Sequence, residues 1–297
     1  MAPATARHII IGDVHGMLPE LNALLGAVEL RKEDVVVFLG DLIDKGPDSP
    51  GVVARVRELR EGGQDVRLVK GNHEEKHERF RRAFAAAGDN VKMKGLDELK
   101  GITAALSGKD IAFLETAEIV VKVPGGVAVH AGVLPTTKTL DLATLGKGAE
   151  LLMRVRHVTG ATQASVTIEF GGLDFHPDFE REQELSPEEL VALLGAERRT
   201  VVKTRYRPAG SFITLKKEGP GDPFWADVYD GRFGHVYFGH TPYVEDKTPR
   251  EFQHAVGLDL GAVFGNRLAA AVLTGDGARS YVSVPAGDKF STTPWEE

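Results

Sequence analysis

The chain has 297 residues, 42% of them hydrophobic and 27% charged, the balance of a soluble globular protein able to bury a sizeable core. It contains no cysteine, which excludes disulfides, thiolate metal sites and a cysteine-nucleophile mechanism, and leaves oxygen and imidazole as the only metal donors. A net charge of -7 opposes stable nonspecific binding to nucleic acid or anionic lipid, and no run approaches the ~20 apolar residues of a membrane span.

Residues 1–7 carry no apolar stretch of leader length, so a cytoplasmic protein without membrane partners is expected. The first strand, from His8, ends in Gly12-Asp13-Val14-His15-Gly16. Leu18, Leu21, Leu25 and Val28 then recur at helical spacing, which predicts a helix over Pro19–Glu29. A second apolar run from Val35 ends in Gly40-Asp41-Leu42-Ile43-Asp44-Lys45-Gly46. Ser49 and Pro50 are the expected N-cap and first position of the next helix, which turns Val52, Val53, Val56 and Leu59 inward. A third run from Val66 leads through Gly71-Asn72-His73-Glu74 into a charged helix expected over Glu74–Ala87. Residues 91–116 read as further helix, interrupted at Gly95, Gly101 and Gly108.

A second group of strands begins with Ile119–Val123 and continues with Gly126–Val129, which delivers His130-Ala131-Gly132. The interval 140–235 is the least regular. It holds Met153-Arg154-Val155-Arg156-His157, a capped helix expected at Ser186-Pro187-Glu188-Glu189, and a Gly/Pro-rich loop over 208–223. Regularity returns with Val236-Tyr237-Phe238-Gly239-His240, with Gly257-Leu258-Asp259-Leu260-Gly261, and with strands at Leu268–Leu273 and Tyr281–Val284. There is no internal repeat, and the expectation is a single domain over 1–297 with a variable insertion at about 140–235.

The intervals Asp13 to Asp41 and Asp41 to Asn72, 28 and 31 residues, each match one strand-helix-strand unit. Runs of Ile, Val, Leu and Phe without polar alternation suit strands covered on both faces, as in a parallel sheet whose carboxyl ends lie side by side. Asp13, His15, Asp41, Asn72, His130 and His240 would then gather at one edge as metal ligands. Asp41, in the middle unit, is the natural bridge between two ions that clamp a phosphate and share a water nucleophile. His73 follows Asn72 directly and cannot easily bind the same ion. It suits a general acid for the leaving oxygen, with Asp44 as the acceptor that orients it. Lys45, Arg154 and Arg156 could hold phosphate oxygens. A mixed N/O donor set favours two divalent ions such as Mn2+, with Fe, Zn, Co or Ni as alternatives, over Mg or Ca. His8, His157, His176, His235 and His254 carry no assigned role.

The ordered motifs Gly12-Asp13-Val14-His15-Gly16, Gly40-Asp41-Leu42-Ile43-Asp44-Lys45-Gly46, Gly71-Asn72-His73-Glu74, His130-Ala131-Gly132 and Gly239-His240 resemble the PPP superfamily of calcineurin-like metallophosphatases. That group includes the serine/threonine protein phosphatases and the symmetrical diadenosine tetraphosphatases. The resemblance implies an α/β fold with two sheets packed between helical layers, an α/β/β/α sandwich. It implies one ion on Asp13, His15 and Asp41, and another on Asp41, Asn72, His130 and His240. It also implies His73 and Asp44 as acid and orienter.

Lys45, where the family carries Arg, is similar to the tetraphosphatase-like group, whereas Asp44 and Glu74 resemble the protein phosphatases. Residues 238–242 and 257–265, with Arg154-Val155-Arg156, resemble tetraphosphatases. The expected function is hydrolysis by a metal-bound hydroxide of phosphoanhydrides in dinucleoside or nucleoside polyphosphates, or of phosphomonoesters. The alternatives are a phosphoserine/phosphothreonine protein phosphatase, with phosphoprotein as partner, and an inactive phosphate-binding scaffold, which would have lost a ligand or the acid.

Overall fold

A computed structural model describes residues 6–160, 163–169, 201–207, 209–212, 221–275 and 277–291. The expected helix at Ser186–Glu189 and part of the expected loop over 208–223 lie outside the described residues.

The three runs form β1 (His8–Ile11), β2 (Val35–Phe38) and β3 (Asp65–Leu68), paired in parallel in the order β1-β2-β3. Strands β1 and β2 are covered on both faces as expected, but β3, at the sheet edge, alternates with Asp65 and Arg67 exposed and is covered on one face only. Helices α1 (Leu18–Ala27) and α2 (Ser49–Glu61) make the crossovers, and α3 (Asn72–Ala87) leaves β3. The same connection runs on through α4 (Leu96–Ala105) and α5 (Gly108–Leu114). The second group of strands comprises β4 (Val120–Val123), β5 (Gly126–Val129), β8 (His235–Phe238), β9 (Arg250–Glu251) and β10 (Ala255–Gly257), in the order β4-β5-β8-β10-β9. Between β5 and β8 lie the short helix α6 (Leu142–Leu145) and an antiparallel pair, β6 (Gln163–Glu169) and β7 (Val201–Arg207). The chain then returns to the first sheet with β11 (Arg267–Leu273), antiparallel to β1, and β12 (Arg279–Pro285).

Side-chain alternation sorts the strands into layers. Ile9, Ile11, Val36 and Phe38 face α1 and α2 with Leu21, Leu24, Val52 and Val56, whereas Ile10 and Val37 join Val121, Ala128, Tyr237 and Val256 between the two sheets. Val127, Val129, Val236 and Phe238 point out of the second sheet. There they are covered by Leu152, Val155, Trp225 and Tyr229, carried on irregular segments and 3-10 turns such as 146–153 and 225–227. The expected two-sheet α/β sandwich is present, with helices on the first outer face and shorter turns on the second. Among the described residues, no helix is long and apolar enough to cross a membrane.

Three local expectations are corrected. The cap of α2 is Asp48, whose carboxylate accepts from Gly51 N at 2.8 Å, while the Ser49 hydroxyl accepts from Asp44 N at 3.0 Å. Gly101 lies inside α4 and does not interrupt it, because the flanking Leu99 and Ile102 pack inward and hold the turn. Helix α3 begins at Asn72 rather than Glu74, so the metal-capable segment is itself the first turn of the helix.

Candidate active site

The carboxyl ends of β1, β2, β3, β5 and β8 converge, and their loops carry the side chains singled out above. Close packing of these loops depends on glycines, Gly40 and Gly71 among them. Gly40 has φ +96°, and a Cβ there would lie 2.6 Å from Gly71 N; a Cβ on Gly71 would collide with the Asp41 carboxylate. Six described non-glycine residues have positive φ, and five of them are His15, Asp41, Asp44, Lys45 and His240. Backbone strain is thus concentrated where the candidate ligands sit, as at sites held in place by their surroundings.

Asp41 is the focus. Its Oδ2 lies 3.6 Å from His15 Nε2, 3.4 Å from His130 Nε2 and 3.9 Å from His73 Nε2. These separations exceed a normal hydrogen bond and are comparable to those between donors sharing an ion. Among the described residues, two groups of three could hold a metal, His15 with Asp41 and His73, and Asp41 with His130 and His240; the donor atoms within each lie inside 4.8 Å of one another. Asp41 belongs to both.

Two of the imidazoles are aimed by their other nitrogen. His15 Nδ1 sits 2.9 Å from the Ile43 carbonyl and His130 Nδ1 2.7 Å from the Leu39 carbonyl, pairings that place N–H there and turn both Nε2 atoms inward. Asn72 Oδ1 is 2.9 Å from His130 Nε2. His240 donates its backbone N–H to the Asp13 carboxylate at 3.0 and 3.1 Å, and its buried Nε2 has no hydrogen-bond partner. Asp13 therefore stands beside the Asp41 groups without belonging to either compact triad.

The charges explain why cations suit this place. Burial, with Asp259 alongside, pushes the Asp13 carboxyl well above the usual range, and burial likewise raises Glu74 and Asp259. Burial pulls His130 down, but the Asp41 charge outweighs it and the imidazole is pushed up to about 9. Burial lowers His15 and His240, keeping them neutral as ligands must be. An orphaned imidazole nitrogen, inward-facing Nε2 atoms and crowded buried carboxylates together fit divalent ions bound by N and O donors.

His73 donates its backbone N–H to Asp41 Oδ1 at 3.0 Å, and its Nδ1 is 2.5 Å from Asp44 Oδ2. Burial works against the Asp44 anion, but hydrogen bonds from His73 and His77 hold its carboxyl far below the usual range. Lys45 Nζ is 2.9 Å from His15 Nε2, inside the site. Arg156 donates to the His240 carbonyl at 2.8 Å, with Nε unpartnered and buried. Arg154 is instead tied to Glu75 at 2.6 Å, with 35% of its side chain exposed.

Sequence reasoning assigned no role to three buried residues. The Glu74 carboxylate accepts from Asp41 N and Leu42 N at 2.8 Å and from Gly71 N at 3.0 Å, bracing two of the loops against each other. Asp259 accepts from Gly261 N at 2.9 Å and faces Asp13 electrostatically. His77, fully buried, meets Asp44 Oδ1 at 2.6 Å through Nε2. The i, i+4 spacing of His73 and His77 on a helix was the available signal for the last of these.

Comparison with known proteins agrees with this geometry. The chain is 28% identical over 279 residues to PrpE, an asymmetrical bis(5'-nucleosyl)-tetraphosphatase of Bacillus velezensis, covering 87% of this chain and 86% of that one. It is 31% identical over 281 residues to a symmetrical bis(5'-nucleosyl)-tetraphosphatase of Erwinia tasmaniensis, covering 88% and 91%. In fold it is similar to a crystal structure titled a putative diadenosine tetraphosphatase, with TM-score 0.59, 22% identity and 97% of both chains covered. Residues 6–260 match the model of the calcineurin-like phosphoesterases, and the chain belongs to that family of metal-dependent hydrolases.

Proposed function

We propose that the protein is a dimetal phosphoesterase acting on phosphoanhydrides of dinucleoside or nucleoside polyphosphates, with phosphomonoesters as secondary substrates. The observation that carries this reading is the Asp41 carboxylate shared by two His/Asp groups. Asp13, His15 and Asp41 would hold one ion, and Asp41, Asn72, His130 and His240 the other; Mn2+ suits the mixed donors. When bound, the ions supply Lewis acidity to the phosphoryl group and lower the pKa of the attacking water.

The chain's own residues supply the rest. His73, oriented through Nδ1 by Asp44, presents Nε2 to protonate the leaving oxygen. Lys45 and Arg156 place positive charge beside the ligands, where equatorial phosphoryl oxygens gather negative charge. Arg154 lies farther out and would meet a distal phosphate of a long polyphosphate only by leaving Glu75. The tetraphosphatase names of the relatives favour the dinucleotide substrate, and a cytoplasmic setting suits it.

The test is a panel of dinucleoside polyphosphates, nucleoside triphosphates, inorganic polyphosphate and phosphopeptides with Mn2+ present. The expected result is highest kcat/KM on a dinucleoside polyphosphate. Preference for phosphopeptides would replace this reading with a protein phosphatase, and inertness on every member with a scaffold.

A further inference from the structure

We propose that His77 is a positioning residue for the leaving-group acid: it pins the second oxygen of Asp44, and Thr103 on α4 pins His77 in turn. The inference rests on the assignment of His73 as the acid.

The four groups form one chain across three elements. Asp44 leaves β2 with φ +69°, so its backbone is in the left-handed region. Its carboxylate is 1% exposed and has an imidazole at each oxygen, His73 Nδ1 at 2.5 Å on Oδ2 and His77 Nε2 at 2.6 Å on Oδ1. Lys76 Nζ stands 3.9 Å from the His73-bound oxygen. His73 and His77 lie one turn apart on the same face of α3, which lets one carboxylate reach both.

The last torsion of an aspartate is soft and nearly two-fold. Held by a single partner, Asp44 could swing and exchange its oxygens, and His73 would lose its fixed direction. With Oδ1 occupied by His77 that rotation is blocked. The orientation of His77 is set from behind, where Nδ1 lies 3.3 Å from Thr103 Oγ1. A hydroxyl donating to Nδ1 places the ring proton on Nε2, so His77 donates to the carboxylate. His77 has no exposed surface and lies one carboxylate away from the reacting centre. It therefore acts on the reaction only through Asp44 and His73.

A series of aryl phosphates with rising leaving-group pKa, hydrolysed with Mn2+ present, separates positioning from mere packing. His73→Asn should lose most on the poorest leaving groups. His77→Leu should show the same steepened dependence on leaving-group pKa. Its kcat should fall about tenfold to a hundredfold at the poor end, with KM changed by less than about twofold. His77→Gln, whose amide can still donate to Asp44, should restore most of the shallow slope. A His77→Leu loss that is equal across the series, or no recovery in His77→Gln, overturns the proposal. If His77→Leu does not fold, Thr103→Val is read on the same series, and an unsteepened slope there has the same meaning. A flat response in His73→Asn would instead remove the acid assignment itself, a distinguishable result.

Discussion

Asp41 holds together what would otherwise be two unrelated clusters. Its Oδ1 accepts from His73 N, and its Oδ2 faces three imidazoles. Asp41→Asn replaces one of those oxygens with an amide that cannot bridge. It should remove bound metal and activity together, measured as metal per chain after gel filtration; a variant retaining two ions would displace Asp41 from the bridge. The two arginines differ in the same local way. Arg156 is half-buried, with its Nε fully enclosed, beside His240, Asp13 and Asp259, whereas Arg154 is occupied by Glu75 and more open to solvent. Arg156→Ala should therefore raise KM for phosphate substrates by about tenfold or more, as expected when a charged hydrogen-bond partner is lost from a buried site. Arg154→Ala should change it little on a short substrate. Equal effects would contradict the placement of both.

The β3–α3 junction shows how an element serves two purposes. Asn72 opens the helix, His73 faces the site, and Glu74 turns back to accept from three backbone N–H groups on two loops. In Glu74→Gln one carboxylate oxygen becomes an N–H donor facing other donors, which costs about 1–3 kcal/mol for the unsatisfied groups. Thermal melts should show a lower Tm with weakened metal retention, and an unchanged Tm would mean that Glu74 braces nothing. Much of this was legible from the chain. The apolar run ending in Gly40-Asp41 identifies a strand end because burial on both faces demands unbroken apolar sequence. Strand β3, with Asp65 and Arg67 exposed, alternates instead and is marked by the Gly71-Asn72 that follows it, where only glycine tolerates the close approach. The partners of those ligands were not legible. Glu74 and Asp259 look like ordinary charged residues until distant backbone amides are brought to them, and the cap moved from Ser49 to Asp48 because the Ser49 hydroxyl was already engaged by Asp44. His77 was readable only once the register of α3 against Asp44 was known.

Across the whole molecule, the two sheets are joined along one edge by a polar clasp. His235 at the start of β8 lies against Arg279 on β12, 2.6 Å from Nε2, and Arg279 also pairs with Glu251 on β9 at 3.0 Å. Burial and then the Arg279 charge lower the imidazole to about 4. Below the ordinary histidine value of ~6.5, the unfolded chain takes up this proton and the folded chain does not until about pH 4, so stability is lost as pH falls through that window. Tm of the wild type should rise more between pH 5 and 7 than that of His235→Gln; parallel curves would show that the clasp carries no such linkage.

The irregular cover of the second sheet has a practical corollary. The chain has two tryptophans, and Trp225, part of that cover, is fully enclosed, its ring against the backbone of Gly132 just beyond His130. With Trp295 replaced by Phe, the tryptophan emission would come from Trp225 alone. Loosening of this side of the molecule would then appear as a red-shifted spectrum, timed independently of the sheet that carries Asp13 and Asp41.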